Sequence, residues 1–168
     1  TYTQPNFVPD DWSLWSEGSI SVSRIGDGGS SENSPKETDS QSLAFGFDKK
    51  INESDLLGFA IQYGLSDADI GSDGTGIDTE SLSLTIYRTK PFDNNNFMQG
   101  LIGFGIIESD SVRKSSGNTL TGSRNGNQLF GSINYGKTFG QGEFNATPIV
   151  RLDLGYTELD SYTEIGTD

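Results

Sequence analysis

Apolar and polar residues alternate along most of this chain, and the alternation predicts strands. The longest run is Leu56 to Asp67: Leu57, Phe59, Ile61, Tyr63 and Leu65 take one face, and Gly58, Ala60, Gln62, Gly64 and Ser66 the other. The same period recurs in Trp12 to Ile25, with Glu17 on the polar side, and in Ser40 to Asp48, where Phe45 and Phe47 oppose Asp48. It continues in Glu80 to Arg88 (Leu82, Leu84, Ile86), Phe97 to Ser109 (Ile102, Phe104, Ile106) and Asn127 to Thr138 (Leu129, Ile133, Tyr135). In Asn145 to Glu164, Leu152, Leu154 and Tyr156 share one side while Arg151 and Asp153 share the other. No segment shows helical periodicity. The fold class expected is therefore all-β, an antiparallel up-and-down meander of about seven strands. Residues 1–11, with Pro5 and Pro9, read as an N-terminal linker, and 12–168 as one domain.

The connections decide what kind of meander this is. Polar, Gly-rich stretches at 26–38, 69–79 and 112–126 read as long loops, and 49–55, 89–96 and 139–143 as short turns. Long and short alternate, as expected of an outer-membrane barrel with loops at one end and turns at the other. The apolar face would then meet lipid, and the polar face a hydrated lumen. A soluble secreted or surface β-sandwich or small barrel that binds a ligand or partner is the alternative, with the same apolar face packed into a core.

Composition fits the barrel. Only 32% of residues are apolar, yet ten Phe, six Tyr and two Trp are placed regularly, unlike a disordered chain. In a barrel with a wet interior only every second strand residue must be apolar. The chain has no Cys and no His, so disulfides, thiolate metal sites and imidazole bases are excluded, and no cofactor is expected. A net charge of −13 argues against nucleic acid as a partner.

Two groups of residues invite a functional reading. Glu17, Asp48, Gln62, Arg151 and Asp153 are candidates for the polar interior, either as a hydrated path or as ion pairs that only stabilise it. Phe45, Phe47, Phe59, Ile61, Tyr63, Phe104, Tyr135, Leu152, Leu154 and Tyr156 are candidates for the membrane- or core-facing surface. The acidic stretch Ser66 to Glu80, with Asp67, Asp69, Asp73 and Asp78, is a solvated loop or a weak Ca²⁺ loop, without EF-hand spacing. Glu158 and Asp160 could serve as an acid–base pair, but nothing marks a pocket around them, and no enzyme is expected. Gly26-Asp27-Gly28-Gly29 is not a phosphate loop, because no Lys and no helix follow it.

Several stretches in order carry a family resemblance: Trp15-Ser16-Glu17-Gly18, Phe47-Asp48-Lys49-Lys50-Ile51, Leu57-Gly58-Phe59-Ala60-Ile61-Gln62-Tyr63-Gly64, Asp78-Thr79-Glu80-Ser81-Leu82-Ser83-Leu84, Thr121-Gly122-Ser123-Arg124 and Arg151-Leu152-Asp153-Leu154-Gly155-Tyr156-Thr157-Glu158-Leu159-Asp160. Together they resemble the translocator β-domain of bacterial autotransporters. The resemblance implies a twelve-stranded barrel in the bacterial outer membrane that anchors a passenger and helps export it. It also implies outer-membrane lipid, the passenger segment and the barrel-assembly machinery as partners. With seven strands, residues 12–168 would form the N-terminal part of such a barrel, and its open sheet edges could self-associate.

Overall fold

The computed structural model describes residues 9, 11–26, 36–71, 74–115, 117–141 and 144–167. Most of the expected linker and residues 27–29 of the glycine-rich stretch lie outside the described residues.

Six long strands run in chain order: β1 (Trp12–Ile25), β2 (Lys36–Lys50), β3 (Leu56–Ile70), β4 (Thr75–Phe92), β5 (Asn96–Ser115) and β6 (Asn118–Lys137). Each pairs antiparallel with the next. The short strands β7 (Phe139–Gln141) and β8 (Phe144–Ala146) form a hairpin of their own. β9 (Ile149–Leu159) and β10 (Ile165–Thr167) then both pair with β6, sharing the seventh position of the sheet. Leu159 opposes Gly126 and Ile165 opposes Thr121, six steps on one side against five on the other, so a bulge separates β9 from β10. The architecture is the all-β meander expected from the alternation.

The loops are where expectation and structure part. Residues 75–79 and most of 112–126 are paired strand, and the connections there shrink to 71–74 and 116–117. The turn expected at 89–96 tightens to 93–95, with Asn94 and Asn95 at φ 63° and 61°, a left-handed conformation asparagine tolerates well. Gly71, Gly74 and Gly117 supply the positive φ at the opposite end. Long loops therefore do not alternate with short turns. What alternates is strand overhang, because the strands continue well past the apolar residues at one end of the sheet.

The sheet is a single layer. Among the described residues no large side chain is fully buried, and the apolar row Phe45, Leu84, Phe104 and Leu129 stands exposed on its face. A sandwich would bury that row against a second sheet.

Candidate functional site

Antiparallel register sets residues side by side across the sheet, so the two faces can be read as rows. One polar-face row is Glu17, Ala44, Gln62, Ser83, Gly105, Gln128 and Thr157. Another, nearer the 51–55 end, is Ser13, Asp48, Gly58, Tyr87, Leu101, Ser132 and Asp153. The five polar candidates thus share one face, Glu17 with Gln62 and Asp48 with Asp153. They do not converge on one point. Arg151 donates to the Asp153 carboxylate at 2.8 Å and 2.9 Å, and Gln62 Nε2 donates to Ser42 Oγ at 3.1 Å. Hydroxyls link neighbouring strands on the same face: Ser19 with Ser42 at 2.7 Å, Ser40 with Ser66 at 2.9 Å, Thr79 with Ser109 at 3.2 Å. Between the charged candidates this stretch of the surface is hydrogen-bonding and rich in hydroxyls.

Between those two rows runs a third that the alternation did not reveal: Trp15, Gly46, Ala60, Thr85, Gly103, Phe130, Gly155. Here large rings lie down over glycines. A Cβ at Gly46 would collide with the Trp15 indole, one at Gly103 with the Phe130 ring, and one at Gly58 with Tyr87 from the adjoining row. Nearer the two ends, Gly136 lies under Phe97 and Gly122 under Tyr162. Glycine here is required by close approach, and each ring restores the contact area its glycine lacks. Trp15 Nε1 donates to Tyr87 Oη at 2.7 Å across two intervening strands, and Tyr87 Oη donates to Asp48 at 3.2 Å. Alternation alone gives no reason for rings as large as Tyr87 and Phe130 on the polar face. The reason is the glycine one strand over, visible only once register is known.

The opposite face gathers the apolar candidates. Phe45, Ile61, Phe104 and Tyr156 share a row with Leu84 and Leu129. Phe47, Phe59 and Leu154 share the next with Ile86 and Ile102, and Leu152 the one beyond, with Leu57 and Ile133. Tyr63 borders the band at the overhang end, where its hydroxyl donates to Glu80 at 3.0 Å, and Tyr135, opposite Met98 and Val150, borders it at the other.

Charge of opposite sign flanks this band. Beyond Tyr63 the apolar face gives way to acids: Glu80 opposes Glu108, and Asp39, Asp67, Asp78 and Asp110 form one row across β2 to β5. The stretch expected as a loop around Asp67 and Asp78 is therefore part of a paired acidic ladder, while Asp73 lies outside the described residues. Local desolvation, then the charges of Asp78, Asp69 and Asp39, hold the Asp67 carboxyl above the usual carboxylate range. Among the described residues no group of three or more acidic side chains is arranged to hold a metal ion. Glu158 sits on this acidic margin opposite Asn127, and the Asp160 amide bonds the Asn125 carbonyl. At the other margin stand Lys49, Arg88, Lys90 and Lys137. Asp55, only 5% exposed, receives both Arg88 Nε at 3.1 Å and Nη2 at 2.9 Å. That guanidinium holds the Asp55 carboxyl below its ordinary value.

A single sheet with one apolar face, one hydrogen-bonding face and charged margins is the wall of a membrane barrel in architecture. The chain belongs to the autotransporter β-domain family, whose model matches residues 14–168. Its fold is similar to the translocator domain of the autotransporter NalP from Neisseria meningitidis, with a TM-score of 0.68 at 17% identity over 93% of this chain. It is similar too to the β-domain of the Bordetella autotransporter BrkA, with a TM-score of 0.71 at 16% identity over 89%. The chain spans 51% and 59% of the length of those two structures. No match was found among curated protein sequences.

Proposed function

We propose that this chain forms part of the wall of an outer-membrane translocator barrel, which anchors an autotransporter passenger and lets it reach the cell surface. The polar face, with Glu17, Asp48, Gln62, Arg151 and Asp153, lines the lumen. The apolar face, from Tyr63 to Tyr135, meets lipid. The observation that carries this reading is the continuity of both faces across all the long strands in one register. Dimensions agree: at about 3.4 Å per residue, Glu80 to Lys90 measures about 34 Å along β4, and a tilt of about 45° reduces this to about 24 Å, the height of a barrel's apolar band.

The lumen wall offers a sliding polypeptide hydroxyls and amides, several of them already paired across neighbouring strands. The role is mechanical and not catalytic. β1 and β9 each pair with one described strand, and their free edges are where the rest of the barrel attaches.

Narrowing the lumen tests the proposal. Ser83→Trp in the intact protein should leave the barrel inserted but cut passenger exposure to protease on whole cells at least severalfold. Leu84→Trp, one residue away on the lipid side, should leave exposure unchanged. Equal exposure in both variants, with both inserted, would contradict a path along the polar face.

A further inference from the structure

Five glycines on the polar face, Gly46, Gly58, Gly103, Gly122 and Gly136, lie under rings, but Gly100 and Gly131 on the apolar face do not. Gly100 on β5 stands between Arg88 and Ile133, and Gly131 on β6 between Ile102 and Leu154. They are diagonal neighbours, and together they floor an apolar cavity of about 640 Å³ walled by Ile86, Ile102, Leu129, Ile133, Leu152 and Leu154. A Cβ at Gly100 would meet nothing nearer than the Ser132 carbonyl oxygen at 3.9 Å. Space therefore exists over this glycine, and no described side chain of the protein fills it.

The row of the groove nearest the 93–95 end is Arg88, Gly100, Ile133 and Leu152, and beyond it the charge is positive. Lys90 lies one row beyond Arg88 on the same face of β4, and Lys137 lies at the foot of β6 on the same side as Ile133 and Tyr135. Their ammonium groups sit 5.4 Å from the Phe92 ring centroid and 5.1 Å from that of Phe139. Among the described residues neither has a carboxylate within ion-pair distance, in contrast to Arg88 with Asp55 and Lys49 with Asp11. Two cations thus stand one and two rows beyond the end of a greasy groove, each resting on an aromatic ring at the level where such rings meet headgroups.

We propose that this groove binds one anionic phospholipid, with an acyl chain along Gly100 and Gly131 and the phosphate between Lys90 and Lys137. The inference rests on the lipid-facing reading of the apolar side. Arg88 takes no part in the charge recognition, because its charge is already paired with the Asp55 carboxylate. Gly100 matters because any longer side chain would occupy the path of the acyl chain.

The test is lipid titration of the intact protein in detergent micelles, read by native mass spectrometry, with circular dichroism to confirm folding. Wild type should retain one phosphatidylglycerol at least tenfold more readily than phosphatidylcholine. The double variant Lys90→Gln/Lys137→Gln should lose that preference, and Gly100→Leu should lose retention of either lipid. Lys49→Gln should behave as wild type, and millimolar inorganic phosphate should not displace the bound lipid. Equal retention of the two lipids by wild type overturns the proposal, as does a double variant that keeps the preference, or displacement by phosphate alone. Should Gly100→Leu not fold, the lysine variant on the rim still decides. Failure of the site alone would leave lipid contact along β3 intact in a spin-label scan, whereas failure of the lipid-facing reading would abolish both.

Discussion

At the scale of the residue, polar-face glycines and their rings decide how closely the lumen wall can pack. Gly46 and Gly103 give backbone room to Trp15 and Phe130, and Gly58 does the same for Tyr87. The Trp15 and Tyr87 rings cannot withdraw without losing hydrogen bonds, since the Trp15 indole donates to the Tyr87 hydroxyl and that hydroxyl to Asp48. Gly46→Ala or Gly58→Ala should therefore destabilise by about 1–3 kcal/mol, the cost of overpacking a filled site. Gly155→Ala, where a Cβ meets nothing within 4 Å, should cost far less. Chemical unfolding of the three variants compares them directly, and equal loss in all three would mean that the rings do not fix these positions.

At the scale of the element, strand existence was legible in the sequence but strand length was not. Within the apolar band each strand shows one greasy and one polar side, and Leu57 to Leu65 is readable by eye. Beyond the band both faces are polar, so 75–79 and 112–126 carry no alternation, and their Gly, Ser and Asp residues read as loop. Backbone pairing needs no apolar face, and the ladder simply runs on. The lysine and acid margins were legible as charges; that Asp39, Asp67, Asp78 and Asp110 stand in one row was not, because it depends on register. The row has a consequence for pH. Asp67 binds its proton more readily in the folded sheet than in the unfolded chain, so folding gains stability as pH falls through its raised value, and is penalised near neutrality. Asp67→Asn should raise the thermal midpoint near neutral pH, and the gain should shrink as pH falls and vanish below about pH 4, where an unperturbed Asp is itself protonated. A midpoint lowered by the substitution at neutral pH would show that the ladder attracts more than it repels.

At the scale of the whole molecule, the central claim is that one face meets lipid and the other water. The chain contains no cysteine, so single-cysteine nitroxide labels at successive positions from Leu56 to Leu65 report without interference from the rest of it. In the intact protein in bilayers, oxygen accessibility should oscillate with a period of two. It should be high at Leu57, Phe59, Ile61 and Tyr63, with a polar relaxing agent favoured at Ala60, Gln62 and Gly64. Accessibility that is flat along the segment, or high oxygen contact at Gln62 rather than Ile61, would contradict the account.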